Sequence, residues 1–240
     1  MVHGGTNFGF LNGANTGSDD SDFKPDITSY DYDAPISEWG DSDSAKFKAL
    51  RKVIKKYSPI SVPRIPPNNG KRGHGKVKLQ KRASPILRML LTPEIQEVLH
   101  GWKMIPFYFE NLSKLFKESP IVGVATSTSK KEFSRAELLS EGPMLYEGHF
   151  TINSTDEVAG TFISFSGWGK GVAFVTDFNI GRFWPLAGPQ CSLNVPAPLL
   201  QPGKNVVLIL ETDAPNHELV IESIDQQDFT CGQRSRVGTK

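Results

Sequence analysis

The clearest periodic pattern of apolar and polar positions lies near the amino terminus, in the stretch SDSAKFKALRKVIKKY. Side chains three and four positions apart share one face of an α-helix, so this stretch predicts an amphipathic helix of about four turns. The expected N-cap is Asp41 or Ser42, because a short polar side chain can accept a hydrogen bond from the first turn. The apolar stripe consists of Phe47, Leu50, Val53, Ile54 and Tyr57.

The segment HGGTNFGF, from His3 to Phe10, precedes this helix and is typical of a strand that runs into a loop. Gly4 and Gly5 lack side chains, which lets another backbone or a ligand approach closely. A strand, a polar loop and a helix in this order predict one β/α unit. Such a unit requires a parallel sheet that these residues do not themselves supply.

Beyond residue 100 the pattern changes to short apolar or alternating runs separated by Gly, Pro, Asp and Asn. Such runs predict an antiparallel β-sandwich in residues 101–225. The expected strands are GWKMIPFYF, MLYEGHFTI, GTFISF, GVAFVT, CSLNVP and NVVLILE. The expected core positions are Phe162, Phe165, Val172, Phe174, Val206, Leu208 and Leu210.

Between these two regions the charged residues are unevenly distributed. The net charge is only +1, yet residues 44–93 contain fourteen Lys and Arg and no Asp or Glu. From Ser58 to Lys81 the bases are mixed with Pro, Gly and Asn, which predicts a linker. Binding of nucleic acid through residues 71–88 would rest on charge alone, because aromatic residues do not alternate with the bases. A solvated linker is the favoured interpretation.

The sequence limits the other classes of protein. Cys191 and Cys231 are too few for a disulfide scaffold and are not spaced for zinc; one bridge could form, and the sequence leaves their pairing open. No apolar run reaches 18 residues, and no signal peptide is expected at the start. In a secreted chain, Asn111-Leu112-Ser113 and Asn153-Ser154-Thr155 would be glycan acceptors.

Candidate chemistry appears in Tyr30-Asp31-Tyr32-Asp33. In an extended chain the two tyrosines would lie on one side and the two aspartates on the other. Tyrosine rings pack against the C–H faces of sugars, and their hydroxyls bind sugar hydroxyls. The alternative is that the tyrosines are half-buried and the aspartates cap turns before the helix. For this motif taken alone, the alternative is favoured.

Taken in order, HGGTNFGF, NGAN and TSYDYDAPISEWGD resemble the end of the catalytic domain of family 35 glycoside hydrolases, the β-galactosidases. Residues 167–211, which begin GWGKG and include NIGRFW and GPQ, resemble the galactose-binding-like jelly roll of that family. The resemblance covers residues 1–57 and 101–212. It implies a mainly β protein: a jelly-roll sandwich preceded by the last β/α unit of an incomplete (β/α)8 barrel.

The resemblance also implies a division of the chain. The expected parts are a barrel remnant (1–57), a basic Pro/Gly-rich linker and residual segment (58–100), the galactose-binding-like sandwich (101–225) and a tail (226–240). Two departures from the family pattern stand out. The family has a further β domain before the segment that matches HGWKMIPFYFENLSKLF, and it has Asn-Gly at the hairpin where this chain has Thr176-Asp177.

Retaining glycosidases need two carboxylic groups about 5 Å apart, one as acid/base and one as nucleophile. In the family both are glutamates upstream of HGGTNF, and Glu38 is neither of them. The resemblance therefore implies that this chain has no catalytic residue and is inactive alone. Of the residues that contact sugar in the family, only Tyr32 carries over, with its hydroxyl near the galactose.

For the full-length protein the resemblance implies hydrolysis of terminal β-D-galactosyl residues, in the lysosome or outside the cell. The expected partner is a β-galactoside, with no cofactor, metal, nucleic acid or membrane; the preferred galactoside and the oligomeric state stay open. The alternative is a non-catalytic carbohydrate-binding or scaffolding sandwich, with Trp168, Arg182 and Trp184 as sugar contacts. For the two tryptophans, packing of the sandwich against the barrel is the favoured role.

Overall fold

A computed structural model of the chain describes residues 2–19, 22–68, 70–83 and 143–232. The described elements run from β1 to β11, with helix α1 after β2. Their bounds are β1 (Ala14–Thr16), β2 (Phe23–Pro25), α1 (Ala45–Tyr57), β3 (Gly75–Lys78), β4 (Gln80–Ala83), β5 (Met144–Ile152), β6 (Thr161–Ser164), β7 (Gly171–Val175), β8 (Phe178–Phe183), β9 (Ser192–Val195), β10 (Gly203–Glu211) and β11 (Val220–Ile224).

Two antiparallel sheets form a β-sandwich. One has five strands in the order β4-β5-β10-β7-β8, and the other has four in the order β3-β11-β6-β9. β10 is the central strand of the larger sheet and pairs along its whole length with β5. The mainly β fold class expected from the sequence is confirmed.

The end of the expected linker belongs to the sandwich. β3 pairs with β11 and β4 pairs with β5, so the chain crosses from one sheet to the other at Leu79. Val77 and Leu79 are buried, whereas Lys76 and Lys78 between and beside them are exposed. This alternation is that of a half-buried strand, so the prediction of a linker is wrong for residues 75–81. The expected strand GWKMIPFYF and the Asn111 acceptor lie outside the described residues.

The sequence-based prediction of the core is wrong about which face of the central strands packs between the two sheets. The core between the sheets contains Ala173, Val175, Val207 and Ile209. The alternate positions lie on the opposite face of the same sheet, where Leu208 pairs with Phe174 and Leu210 with Val172. Phe174 and Leu208 are buried in a separate small cluster, against which Val172 and Val206 pack. Of the seven expected residues, only Phe165 lies in the main core cluster; Phe162 is buried outside it.

The hairpin between β7 and β8 turns at Thr176-Asp177. Both residues have positive φ, 48° and 67°, as a type I′ turn requires. The strand residues on either side, Val175 and Phe178, are paired. The turn therefore forms without the Asn-Gly pair that best suits it.

The start of the expected tail is also part of the sandwich unit. Cys191 and Cys231 form a disulfide bond with their Cα atoms 5.3 Å apart, which answers a question that the sequence left open. Around it, the Cys191 amide donates to the Asp228 carbonyl at 2.8 Å and the Cys231 amide donates to the Pro189 carbonyl at 3.0 Å. Residues 226–232 are thus fixed to the sandwich, which corrects the boundary expected at residue 225.

Residues 2–57, here the amino-terminal segment, contain helix α1 much as expected. The helix spans Ala45–Tyr57, and its N-cap is Ser44, whose hydroxyl accepts from the Phe47 amide at 3.0 Å. The expectation of Asp41 or Ser42 as N-cap is therefore wrong. The helix buries none of its residues, so its apolar stripe lies at the surface.

The expected strand at His3 to Phe10 is not formed. Its backbone makes isolated bridges, between His3 and Ile36 and between Thr6 and Ser29. A strand needs a neighbour along its length to satisfy its amides and carbonyls, and two isolated bridges do not provide one. The β/α barrel unit stays a prediction.

Candidate functional site

The turn that carries Tyr32 is tightly constrained. Tyr32 and Asp33 both have positive φ, 47° and 55°, and the Ala34 amide donates to the Asp31 carbonyl at 2.9 Å. The chain thus reverses direction at this point, and the extended arrangement considered from the sequence is wrong. Non-glycine residues seldom adopt this conformation, and successive ones are held only by surrounding contacts.

Helix α1 supplies one such contact. The Lys46 ammonium donates to the Asp33 carbonyl at 2.6 Å and also forms an ion pair with the Asp33 carboxylate. Lys46 therefore joins the first turn of the helix to the turn at Tyr32. Tyr32 itself is 71% exposed, so it lies at the surface of the described part of the chain.

Two glycines allow the neighbouring side chains to pack closely. A side chain at Gly4 would collide with Asp31, and one at Gly5 would collide with the Tyr30 ring. The two tyrosines of the motif therefore have different surroundings: Tyr30 packs against the Gly5 backbone and Tyr32 faces solvent. This close approach is what the glycine pair permits.

Two carboxyl groups lie near each other beneath this turn. Burial raises the pKa of Glu38 to about 7, although the Thr6 hydroxyl donates to its Oε2 at 2.7 Å. Burial also raises the pKa of Asp31, whose Oδ1 has no hydrogen-bond partner among the described residues. The charge of Asp31 also raises the pKa of Glu38, because it disfavours a second negative charge nearby, whereas a hydrogen bond from the Glu38 backbone acts to lower the pKa of Asp31.

Lys71 stands opposite these carboxyls, on the sandwich side. Its ammonium donates to Asn194 Oδ1 at 2.6 Å and lies 4.8 Å from the centre of the Phe162 ring and 5.8 Å from that of Trp39. Burial lowers its pKa to about 8, while the charge of Glu38 acts in the other direction. Lys71 was assigned to a solvated linker from the sequence; only the alternation of GKVKL just after it indicates a strand.

This cluster of Asp31, Glu38, Trp39 and Lys71, here the acidic junction, joins the amino-terminal segment to the smaller sheet. Trp39 contacts Phe162 edge-on with ring centres 6.4 Å apart. A carboxyl with a pKa near 7 could exchange protons in catalysis. Here, however, Glu38 is held by Thr6 in the contact between two parts of the chain, so the geometry favours a structural role.

A second set of contacts joins the segment to the end of β8 and the loop after it. The Thr28 hydroxyl donates to the Arg182 carbonyl at 2.5 Å, and the Ser29 amide donates to Gln190 Oε1 at 3.0 Å. The Arg182 guanidinium donates to the carbonyls of Asp26 and Gly13. Gln190 belongs to the Gly-Pro-Gln motif, so the motif was visible in the sequence but its contact with Ser29 was not.

The three residues considered as sugar contacts have other partners. Trp168 is buried in the core, edge-on to Tyr146, and its indole donates to the Val220 carbonyl at 2.9 Å. Trp184 lies under the Lys170 ammonium, 3.9 Å from the ring centre, and near Phe23. Trp184 and Arg182 thus contact the amino-terminal segment, whereas Trp168 packs within the sandwich.

The concave surface between Asp26–Thr28 and Arg182–Trp184 encloses about 20 Å³. That volume holds about one water molecule and excludes a sugar ring. Within the described ranges, no three His, Cys, Asp or Glu side chains are grouped as a metal site requires. In the same part of the chain, no helix combines the length and apolar character needed to span a membrane.

Two family models match separate parts of the chain. The model of family 35 glycosyl hydrolases matches residues 1–57, and that of the β-galactosidase galactose-binding domain matches residues 143–205. Beta-galactosidase 17 of Arabidopsis thaliana is 35% identical over 353 aligned positions, covering 97% of this chain and 50% of the relative. Beta-galactosidase 8 of Oryza sativa subsp. japonica is 34% identical and the beta-galactosidase of Bos taurus 27%, over 97% and 98% of this chain.

The chain spans about half the length of the curated relatives that it matches, 50% to 54% for these three. The aligned span of 353 positions in the Arabidopsis relative also exceeds the 240 residues of this chain. Within that span the relative therefore has residues without a counterpart here.

Proposed function

We propose that this chain belongs to family 35 of the glycosyl hydrolases and forms part of a β-galactosidase that hydrolyses terminal β-D-galactosyl residues. The observation that carries the proposal is the order of the two family matches along one chain, residues 1–57 and then 143–205. Alignment with beta-galactosidases across 97% of the chain supports it further.

In this proposal the chain contributes substrate binding and structural support, and the catalytic carboxyl pair comes from residues outside it. A retaining mechanism needs a nucleophile and an acid/base about 5 Å apart. Glu38 is a poor candidate for either, because Thr6 holds one of its oxygens within the acidic junction. The 240-residue chain alone is therefore inactive towards galactosides.

Tyr32 is the substrate-binding residue of the proposal. Its hydroxyl can donate to or accept from a hydroxyl of galactose, and its ring can cover a C–H face. The exposed position of Tyr32 and the Lys46 contact that fixes its turn are the structural support for this role. The tyrosine would bind galactose in a site completed by residues that this chain does not contain.

The proposed location is the lumen of the lysosome or the extracellular space. The disulfide bond between Cys191 and Cys231 is the support, since such bonds persist mainly in oxidising compartments.

The test compares the 240-residue chain with the longest natural polypeptide that contains it, each purified through a tag at its own carboxyl terminus. We expect the longer polypeptide to cleave p-nitrophenyl β-D-galactoside but neither the α-galactoside nor the β-glucoside. The chain alone should cleave none of them. Turnover by the chain alone, or a longer polypeptide without β-galactosidase activity, would contradict the proposal.

A matched pair of variants in the longer polypeptide tests Tyr32. Tyr32→Phe removes one hydroxyl and should lower kcat/KM by roughly tenfold, since the loss of one hydrogen bond to substrate costs about 1 kcal/mol or more. Tyr57→Phe is the control, because Tyr57 is 72% exposed and lies at the end of α1. Equal kinetics for the two variants would exclude the role of Tyr32.

A further inference from the structure

An Asn-Ser-Thr triplet follows β5 directly, at Asn153, Ser154 and Thr155. All three residues are exposed, whereas Ile152, the last residue of the strand, is buried. The triplet therefore begins at the point where the chain leaves the core. A bulky group on Asn153 would extend into solvent without displacing a core side chain.

The triplet lies in a turn whose geometry tolerates such a group. The Asp156 amide donates to the Asn153 carbonyl at 3.0 Å, and Asn153 Nδ2 donates to Asp156 Oδ2 at 3.3 Å. Arg72 pairs with the same Asp156 oxygen at 3.2 Å and fixes the end of the turn. A side-chain amide has two N–H hydrogens, so replacement of one leaves the other to donate to Asp156.

The disulfide bond supplies an independent observation. Cys191 and Cys231 are 40 positions apart and are bonded within the packed unit. Such a bond indicates folding in an oxidising compartment, and in eukaryotic cells this compartment also attaches glycans to Asn-X-Ser/Thr.

We propose that Asn153 is an N-glycosylation site. In the reaction, Asn153 Nδ2 attacks C1 of a lipid-linked diphosphate oligosaccharide. An N–C bond forms, the C–O bond to the diphosphate breaks, the lipid diphosphate leaves, and Nδ2 gives up one proton to a base of the transferase. The inference rests on the proposed luminal location and is independent of β-galactosidase activity.

The test is translation of the full chain behind a secretory leader in the presence of microsomes. The leader carries its own acceptor triplet, so only translocated molecules, which bear the leader glycan, are scored. Asn111→Gln in every variant removes the other acceptor. The background chain should then carry two glycans, and adding Asn153→Gln should leave one. Digestion with an endoglycosidase should return both to the mass of the bare polypeptide.

Two further variants separate recognition of the triplet from an effect on folding. Thr155→Ser keeps a hydroxyl that the transferase accepts and should retain the glycan. Thr155→Ala removes that hydroxyl and should lose it, as Asn153→Gln does. A translocated background chain that carries only the leader glycan would overturn the proposal. A second glycan that persists after Asn153→Gln would also overturn it.

Discussion

The sandwich and the amino-terminal segment are held together by different physical forces. In the sandwich, aromatic and aliphatic side chains from both sheets are buried in one cluster. In the described part of the segment, the buried side chains include those of two polar residues, Thr28 and Ser29. Its helix α1 leaves Val53, Ile54 and Tyr57 exposed.

This difference shows where the stability of the chain arises. Burial of apolar surface contributes about 25 cal/mol per Å², whereas one hydrogen bond contributes about 1 kcal/mol net. The sandwich can therefore fold on its own core. The segment depends on its contacts with the sandwich, both polar ones through Gln190 and Arg182 and aromatic ones such as that of Trp39 with Phe162.

The largest expected effect comes from the core. Phe165 is fully buried and stacks on Phe183 with ring centres 4.2 Å apart. Phe165→Ala should lower the free energy of unfolding by about 3 to 5 kcal/mol, because it removes a large side chain and leaves a cavity. Val53→Ala, on the exposed face of α1, is the control and should change it by less than about 0.5 kcal/mol. Urea unfolding followed by tryptophan fluorescence measures both, and equal effects would contradict the comparison.

The disulfide bond gives the next effect. Replacement of both Cys191 and Cys231 by Ser should lower the free energy of unfolding by about 2 to 4 kcal/mol, because the unfolded chain regains the freedom of a closed loop of 40 positions. Urea unfolding of the oxidised chain, the reduced chain and the double variant provides the measurement. Reduction should have the same effect as replacement. If the oxidised chain and the double variant unfold at the same urea concentration, the bond does not stabilise the sandwich.

The acidic junction should make the contact between the two regions depend on pH. The folded pKa of Glu38, about 7, is above its ordinary value of 4.5, so the folded state binds the proton more tightly. The contribution of Glu38 to the free energy of unfolding is therefore largest at low pH and is lost as pH rises through 7. The folded pKa of Lys71 is lowered to about 8, so the contribution of Lys71 to the free energy of unfolding increases as pH rises above 8.

The stability of the contact should consequently pass through a minimum between pH 7 and 8. Glu38→Gln should remove the increase in stability below pH 7 and leave the increase in stability above pH 8. The fluorescence of Trp39 follows the contact during urea titrations at several pH values, and subtraction of the signal of a matched Trp39→Phe variant separates it from that of Trp102, Trp168 and Trp184. A rise on the acidic side that is unchanged by Glu38→Gln would show that another group is responsible.

The elements that the sequence predicted well are those with local causes. Helix α1 follows from the spacing of Phe47, Leu50, Val53 and Ile54, whereas the hairpin at Thr176-Asp177 was expected only from the resemblance to the family. The N-cap was missed because Asp41, Ser42 and Ser44 are all good capping residues. Only the backbone conformation distinguishes among them.

The elements that were missed depend on contacts far apart in sequence. In VVLIL of β10 both faces are apolar, so a shift of one residue exchanges the faces and the pattern cannot show which one meets the other sheet. Lys71 looked like one base among many, because its contacts with Asn194 and the carboxyl of Glu38 are set by the packing of the two regions. The exposed turn at Tyr32 likewise depends on Lys46 from the helix.

Amide hydrogen exchange on the intact 240-residue chain tests the central contrast most directly. The account predicts strong protection in β7 and β10, whose amides lie in the five-stranded sheet, and weak protection in α1, which buries no side chain. Residues 27–30, which contact the sandwich through Thr28 and Ser29, should fall between the two. Amides of residues 45–57 as strongly protected as those of residues 171–175 would contradict the account, because the helix would then be stabilised as well as the core.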